Sequence, residues 1–410
     1  MNIGLGKLAS SAKNILTYSI LGQIIGIIAY PLLAYLYNPE AFGVYGVTLS
    51  IITIFTAVSM GKVEYSIPII NKNIIGHISY LCLLLSIFIT CLLLLPLSIY
   101  GIVGNNFEYY YSLYISIGIF AMSFYRLQNM NAIHSSNYRL IGKARFLQLV
   151  IMVTLQLCFF LFEADGLVLG FVLSYLIASL LYIRGLNSKI RLRAFKKKYV
   201  PYFYKRNKKY LLYDTPGTFL NILSNELYSL ILPIYYGLSL GGLYVFAYRI
   251  LTIPVTLVGL SFGQALMGHA KEWQDKKFLF KGLSLFVMVL SLMSLFFSVL
   301  FYNYSGAGFE LIFGEKWRYS GVIASILIFS VFFQILFSPL TLLIPMLQLQ
   351  KFIFYFHLTM LCTRISVLLM VGAKGELLDL LWFYSLSSGV LYFLGVAYIL
   401  LSAYKLERRG

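Results

Sequence analysis

The sequence predicts an all-α integral membrane protein of about twelve transmembrane helices arranged as two six-helix bundles. Three observations predict it. Hydrophobic residues fill 60% of the 410 positions and charged residues only 11%, and the mean hydropathy is +0.84, a balance suited to lipid and not to water. Apolar runs of roughly 20 residues, the length that crosses a bilayer, recur along the chain. The basic residues between those runs fall on alternate sides, as they do when the number and order of spans are right.

The runs lie at 14–37, 41–60, 78–100, 111–133, 146–162 and 166–182, and after a polar interval at 214–236, 243–267, 278–302, 320–347, 352–372 and 378–404. Lys7 and Lys13 precede the first, but no small-residue cleavage site follows it, so it is expected to be retained. Lys62 and Lys72, Arg139, Lys143 and Arg145, Lys271, Lys276, Lys277 and Lys281, Lys351, and Lys405, Arg408 and Arg409 share one side, which is read as cytoplasmic. The other side holds mainly acids: Glu40, Glu108, Glu163 with Asp165, Glu310 with Glu315, and Glu376 with Asp379. Both termini are then expected in the cytoplasm.

The segment 184–213 carries Lys196, Lys197, Lys198, Lys205, Arg206, Lys208 and Lys209. It is read as a basic cytoplasmic linker between an N-terminal bundle, 1–183, and a C-terminal one, 214–410. Six spans per half is an even number, so a repeat between the halves is parallel, with its axis along the membrane normal. Gly43-Val44-Tyr45 at the second span and Gly242-Leu243-Tyr244 at the eighth fit such a repeat.

The net charge of +18 is spread over loops instead of forming one basic groove, which argues against nucleic acid as a partner. Cys82, Cys91, Cys158 and Cys362 stand singly in apolar runs and read as buried filler. Neither they nor the scattered His77, His134, His269 and His357 suggest a metal, a cofactor or an acid–base constellation. No GxxxxGK[ST] loop for nucleotide phosphates occurs.

Candidate functional residues are those that stay polar inside the membrane, where a charge costs about 2.5 to 3.5 kcal/mol on insertion scales. In the eighth span Arg249, Thr252, Thr256, Gly259 and Gly263 follow helical spacing and are expected to face water. The seventh opens with Asp214-Thr215-Pro216-Gly217 and sets Thr218, Asn221, Asn225 and Ser229 on one stripe, with Glu226 beside it. The tenth carries Gln334, Ser338, Thr341 and Pro345, the eleventh His357 and Arg364, the fourth Arg126 with Gln128, Asn129 and Asn131, and the first Tyr18, Gln23 and Tyr30. Lys62 and Glu64 read as an interfacial pair. A lone Ser or Thr is read as interhelical glue, and His357 as a structural hydrogen-bond partner. Arg249 and Arg364 are read as lining a cavity between the bundles, polar enough for sugars and cationic enough for phosphate. Arg126 fits either that cavity or snorkelling to the surface.

The stretch 31–45 (PLLAYLYNPEAFGVY), continued by Gly61-Lys62-Val63-Glu64-Tyr65, resembles the N-terminal signature of bacterial polysaccharide exporters. Pro216, Asn221, Gly242-Leu243-Tyr244, Ala247-Tyr248-Arg249-Ile250-Leu251 and Pro254, ending near Gln264, are similar to the second-half signature. The likeness runs the full length and is nearest to Wzx-type O-antigen flippases, which group with MurJ and the MATE drug exporters in the MOP superfamily. It implies a MATE/MurJ-like fold in the bacterial inner membrane and a place in lipopolysaccharide biosynthesis. The cargo implied is an undecaprenyl-pyrophosphate-linked oligosaccharide, carried from the cytoplasmic to the periplasmic leaflet by alternating access. It further implies membrane lipids, an O-antigen polymerase and a chain-length regulator as partners, and Arg249 as the residue best placed to hold pyrophosphate or acidic sugars. With Arg249 the candidate substrate contacts are Arg364, Arg126, Asn221, Asn225, Gln334, Gln23 and Lys62, and the candidate coupling residues are Glu226 and Asp214. The chain departs from the pattern in lacking a clear acid after the Gly-x-Tyr of the second half. Two other readings stay open: a membrane-embedded polymerase or acyltransferase, and a MATE-type exporter of small molecules. The first is disfavoured by the short outward segment 303–319, the second by the excess of embedded arginine over acid.

Overall fold

A computed structural model describes residues 18, 21–22, 24–69, 72–104, 110–186, 208, 212, 214–275, 277–372 and 375–409. Among them twelve helices occupy the places expected of the spans: α1 (Ile24–Leu36), α2 (Pro39–Val58), α3 (Lys72–Gly104), α4 (Tyr110–His134), α5 (Tyr138–Cys158), α6 (Ala164–Leu186), α7 (Thr215–Tyr236), α8 (Leu238–Asp275), α9 (Leu279–Phe313), α10 (Arg318–Leu340), α11 (Gln350–Val371) and α12 (Leu377–Arg409). No strand occurs among the described residues. Nine helices there are long and apolar enough to cross a membrane by length and composition. The others are the shorter α1 and two helices diluted by polar residues, α4 with Arg126, Asn129 and Asn131 and α7 with Asn221, Asn225 and Glu226. Apart from residues 184–186, 208 and 212, the basic linker lies outside the described residues.

The helices begin and end for local reasons. Pro39 opens α2, where its missing N–H costs nothing. Asn137 Oδ1 accepts a hydrogen bond from the Leu140 amide at 3.3 Å and caps α5. Arg139, Lys143 and Arg145, expected in a loop, therefore lie on the first turns of α5. The outward segment 303–319 is not an open loop either. α9 runs through it to Phe313, Gly314 turns the chain at φ 98°, and a short 3-10 turn, Glu315–Trp317, leads into α10. At its other end α10 stops at Leu340, earlier than expected, because Pro339 is followed by the tighter turn Thr341–Leu343.

A repeat shows in the connections. Lys62 between α2 and α3 and Lys277 between α8 and α9 take left-handed φ values of 59° and 52°. Ser136 between α4 and α5 and Gln348 between α10 and α11 do the same at 54° and 55°. Non-glycine residues rarely adopt this conformation. Finding it at the same two connections of each half is what a parallel repeat produces.

Contacts divide the chain into two compact units, Met1–Leu230 and Ile231–Gly410, so the division falls inside α7. In the first, α4 packs on α2, α3, α5 and α6, around Ile52, Ile115, Ile119 and Val172. In the second, α10 packs on α8, α9 and α12; 56% of its apolar span is buried against 17% for α9, which marks α10 as the central helix and α9 as the outer one. Trp317, fully buried at the head of α10, sits 3.9 Å from the ring of Phe246 on α8. α4 and α10 are the fourth helix of each half, so the repeat extends to the cores. Of the four cysteines only Cys82 is buried; Cys91, Cys158 and Cys362 are exposed on apolar helices, facing outward and not filling a core.

Candidate functional site

The first unit gathers charge where α2 hands over to α3. The chain leaves α2 through Gly61 and Lys62, both left-handed, and the 3-10 helix Val63–Ile69 folds back against α4 and α3. That path carries Glu64 to 1% exposure. Its Oε1 lies 3.8 Å from Nη1 of Arg126 on α4, and the same nitrogen donates to the Thr56 carbonyl at 3.2 Å. Oε2 of Glu64 has no hydrogen-bond partner. Burial pushes the Glu64 carboxyl up, while Arg126 and then Lys62 pull it back. Lys62 also lies near Asp214, whose carboxyl is raised by partial desolvation and lowered by that ammonium. The Lys62 Nζ itself stands 4.4 Å over the Tyr65 ring.

The interfacial pairing of Lys62 with Glu64 thus needs correcting. Glu64 turns inward to Arg126, and the Arg126 guanidinium meets the Thr56 carbonyl and the Glu64 carboxylate while staying 21% exposed. Sequence reasoning named Glu64 only as a partner of Lys62 and missed its contact with Arg126. A single acid in a loop otherwise basic, within the Gly61–Tyr65 motif, was the available signal. Gln128, Asn129 and Asn131 serve as glue: Tyr182 Oη donates to Asn129 Oδ1 at 3.2 Å, Ser79 Oγ to Asn131 Oδ1 at 3.0 Å, and Asn131 Nδ2 to Gln128 Oε1 at 3.4 Å.

On α7, Asn225 Nδ2 donates to Asn221 Oδ1 at 3.1 Å, and both residues are half-buried. Glu226, 8% exposed, accepts a hydrogen bond from Ser50 Oγ of α2 at 2.9 Å. Ser229, placed on the same stripe as the asparagines by sequence, is fully buried.

The second unit separates two arginines that the sequence set on one wet wall. Arg249 on α8 is half-buried. Arg364 on α11 is only 2% exposed, and its Nε donates to Ser388 Oγ on α12 at 3.2 Å. Its guanidinium lies 5.1 Å over the Tyr384 ring, with Tyr392, Tyr248 and Tyr244 around it. Hydroxyls and aromatic faces enclose the charge there in place of water. The polar face predicted on α8 is likewise divided. Thr256 is exposed, whereas Gly259 and Gly263 are buried against α10, and a Cβ at Gly259 would overlap Ser338 Oγ. The glycines serve close packing of α8 on α10. Gln334 is half-buried on α10, and His357, also half-buried, lies 5.6 Å from the Phe356 ring. Gln23 lies outside the described residues.

Among the described residues no group of three or more His, Cys, Asp or Glu side chains could hold a metal ion. What the two units offer is partly exposed Arg, Asn and Gln side chains on otherwise apolar helices, which can hydrogen-bond a polar or anionic solute.

No curated protein matches the chain in sequence. Solved structures do match in fold. An inward-facing multidrug resistance MATE family transporter of the MOP superfamily superposes with a TM-score of 0.70 at 14% identity, covering 94% of this chain and 96% of that one. An outward-facing MATE transporter gives 0.60 at 13% identity, with 98% and 97% covered, and the Vibrio cholerae MATE transporter VcmN gives 0.58 at 11% identity, with 99% of each covered. The sequence model of the family described as polysaccharide biosynthesis protein matches residues 32–322. Spanning both signature stretches and most of the chain, that match places this multi-pass membrane protein, with its MATE-like fold, in the polysaccharide biosynthesis protein family.

Proposed function

We propose that the protein is a flippase that carries an undecaprenyl-pyrophosphate-linked oligosaccharide, an O-antigen or capsule repeat unit, from the cytoplasmic to the periplasmic leaflet of the bacterial inner membrane. Both termini face the cytoplasm in this reading. The observation that carries it is the half-buried Arg249, on a helix of spanning length, in a chain of a polysaccharide biosynthesis family. A guanidinium kept partly exposed on a helix of spanning length can hydrogen-bond an anionic solute.

The physical task fits the residues. A phosphorylated glycan dragged unaided through hydrocarbon would lose its hydration without replacement. Arg249 would hold the phosphate charge, and Asn221, Asn225 and Gln334 would replace water around sugar hydroxyls, while the polyprenyl tail stays in lipid. Alternating access would expose these groups to one leaflet and then the other. Arg126 and Lys62, held by Glu64, Tyr65 and Asp214, would act at the entrance and not on the glycan itself. An O-antigen polymerase and a chain-length regulator would receive the product.

The test is deletion followed by extraction of lipid-linked glycans with assignment of their leaflet. Loss of a flippase leaves single repeat units facing the cytoplasm. Single units facing the periplasm would mean a polymerase, and an unchanged glycan pool with increased drug sensitivity would mean a small-molecule exporter.

A further inference from the structure

Positive charge from two helices meets where α5 begins and α6 finishes. The helices run antiparallel and close together: a Cβ at Gly185, near the end of α6, would strike the Leu140 side chain on the first turn of α5, and one at Gly170 would strike Gln156 near the other end. That packing sets Arg184 of α6 beside Arg139 and Lys143 of α5, and all three side chains are exposed. No acid neutralises them. Across α4, α5 and α6 the single carboxylate is Asp165, on the first turn of α6 at its opposite end, and none of the three cations is in an ion pair among the described residues.

Along the same stripe of each helix, the charge gives way to apolar surface. Leu147 stands one turn past Lys143, itself one turn past Arg139, and is 37% exposed; on α6, Leu180 and Ile177 stand one and two turns before Arg184 and are 56% and 38% exposed. Tyr18, ahead of α1, covers a different side of α5, packing on Gly142 and lying 6.2 Å from the Phe146 ring. Arg145 is exposed as well, but it sits about a third of a turn around the helix from Arg139, near Tyr125, Tyr175 and Tyr182.

We propose that the adjoining ends of α5 and α6 form a binding surface for an anionic phospholipid, whose phosphate meets Arg139, Lys143 and Arg184 and whose acyl chains lie along Leu147, Leu180 and Ile177. Basic residues gathered between membrane helices attract anionic headgroups; arginine offers phosphate a planar fork and lysine a point charge. The apolar half of the surface decides between ligands. A soluble anion has no use for it, and a zwitterionic lipid gains little from three cations. The proposal does not depend on the cargo that the protein moves.

The test is titration of phosphatidylglycerol, against phosphatidylcholine with the same acyl chains, into the detergent-solubilised full chain, with bound lipid counted by native mass spectrometry. Phosphatidylglycerol should be retained in preference. Arg139→Gln, Lys143→Gln and Arg184→Gln should each weaken it about fivefold, and together on the order of 100-fold. Arg145→Gln removes the same charge from another face and should leave retention as in wild type. Leu147→Ser with Leu180→Ser should weaken retention while glycerol phosphate, the soluble headgroup, fails to compete. If the triple variant folds poorly, Lys143→Gln and Arg184→Gln singly still report, since both positions are exposed. Equal retention of the two lipids, undiminished phosphatidylglycerol binding in the glutamine variants, or a loss as large in Arg145→Gln overturns the proposal. Competition by glycerol phosphate overturns it too, by making this a site for a soluble anion.

Discussion

The guanidinium of Arg126 joins α4 to two points of the chain around it, the Thr56 carbonyl at 3.2 Å and the Glu64 carboxylate at 3.8 Å. Arg126 is 21% exposed and Glu64 1%, so removing one partner leaves the other charge with little water to replace it. Arg126→Ala is expected to cost about 1 to 3 kcal/mol, and Arg126→Lys less. Thermal unfolding in detergent of both single alanine variants and the double variant measures the coupling. Additive losses would remove the pair from the account.

Burial holds the Glu64 carboxyl above its ordinary range despite Arg126 and Lys62. The sign follows from linkage: a raised folded-state value means that the folded protein binds the proton more tightly than the unfolded chain. Its contribution to stability is full below the unfolded carboxylate range and is lost as pH rises through the folded value. The melting temperature should therefore fall across that window, and Glu64→Gln should flatten the slope. A profile identical in the variant would assign the dependence to another group.

Gly259 on α8 lies where a Cβ would overlap Ser338 Oγ of α10, with Ser338 Cβ 3.1 Å away. Gly259→Ala is expected to destabilise the protein by about 1 to 3 kcal/mol through overpacking. In a Ser338→Ala background the same change should cost less, because the atom met first is gone. Equal costs in the two backgrounds, read by thermal unfolding, would mean that the helices part freely at this seam.

Arg249 and Arg364 should behave differently. Arg249→Ala should abolish glycan export in a protein that still inserts, and Arg249→Lys should recover part of it, since an ammonium replaces the charge and not the fork. Arg364, 2% exposed and bonded to Ser388, should act on stability: Arg364→Ala should lower the amount of folded protein, with export falling in proportion. A water-soluble thiol reagent should label a cysteine at 249 and spare one at 364. The reverse pattern would exchange their roles.

The helices were legible in sequence because crossing lipid demands about 20 apolar residues, a demand that acts on composition. The basic loops supported the same count. Partnership was not legible. Arg364 and Arg249 read alike as embedded cations, yet one is enclosed by tyrosines and Ser388 and the other is half open. Gly259 and Gly263 followed the spacing of a polar face but fill a seam against α10.

By itself the amino-acid sequence determined that the chain lives in a membrane, how often it crosses and where polarity is kept inside it, since transfer to hydrocarbon is a property of each residue and its near neighbours. Only the tertiary structure decided which partner each embedded charge has: Glu64 for Arg126, Ser50 for Glu226, Ser388 for Arg364. Those contacts join different elements of the chain, 24 residues apart for Arg364 and Ser388 and 176 for Ser50 and Glu226, and the energy of a buried charge depends on the atoms that surround it and not on its place in the sequence.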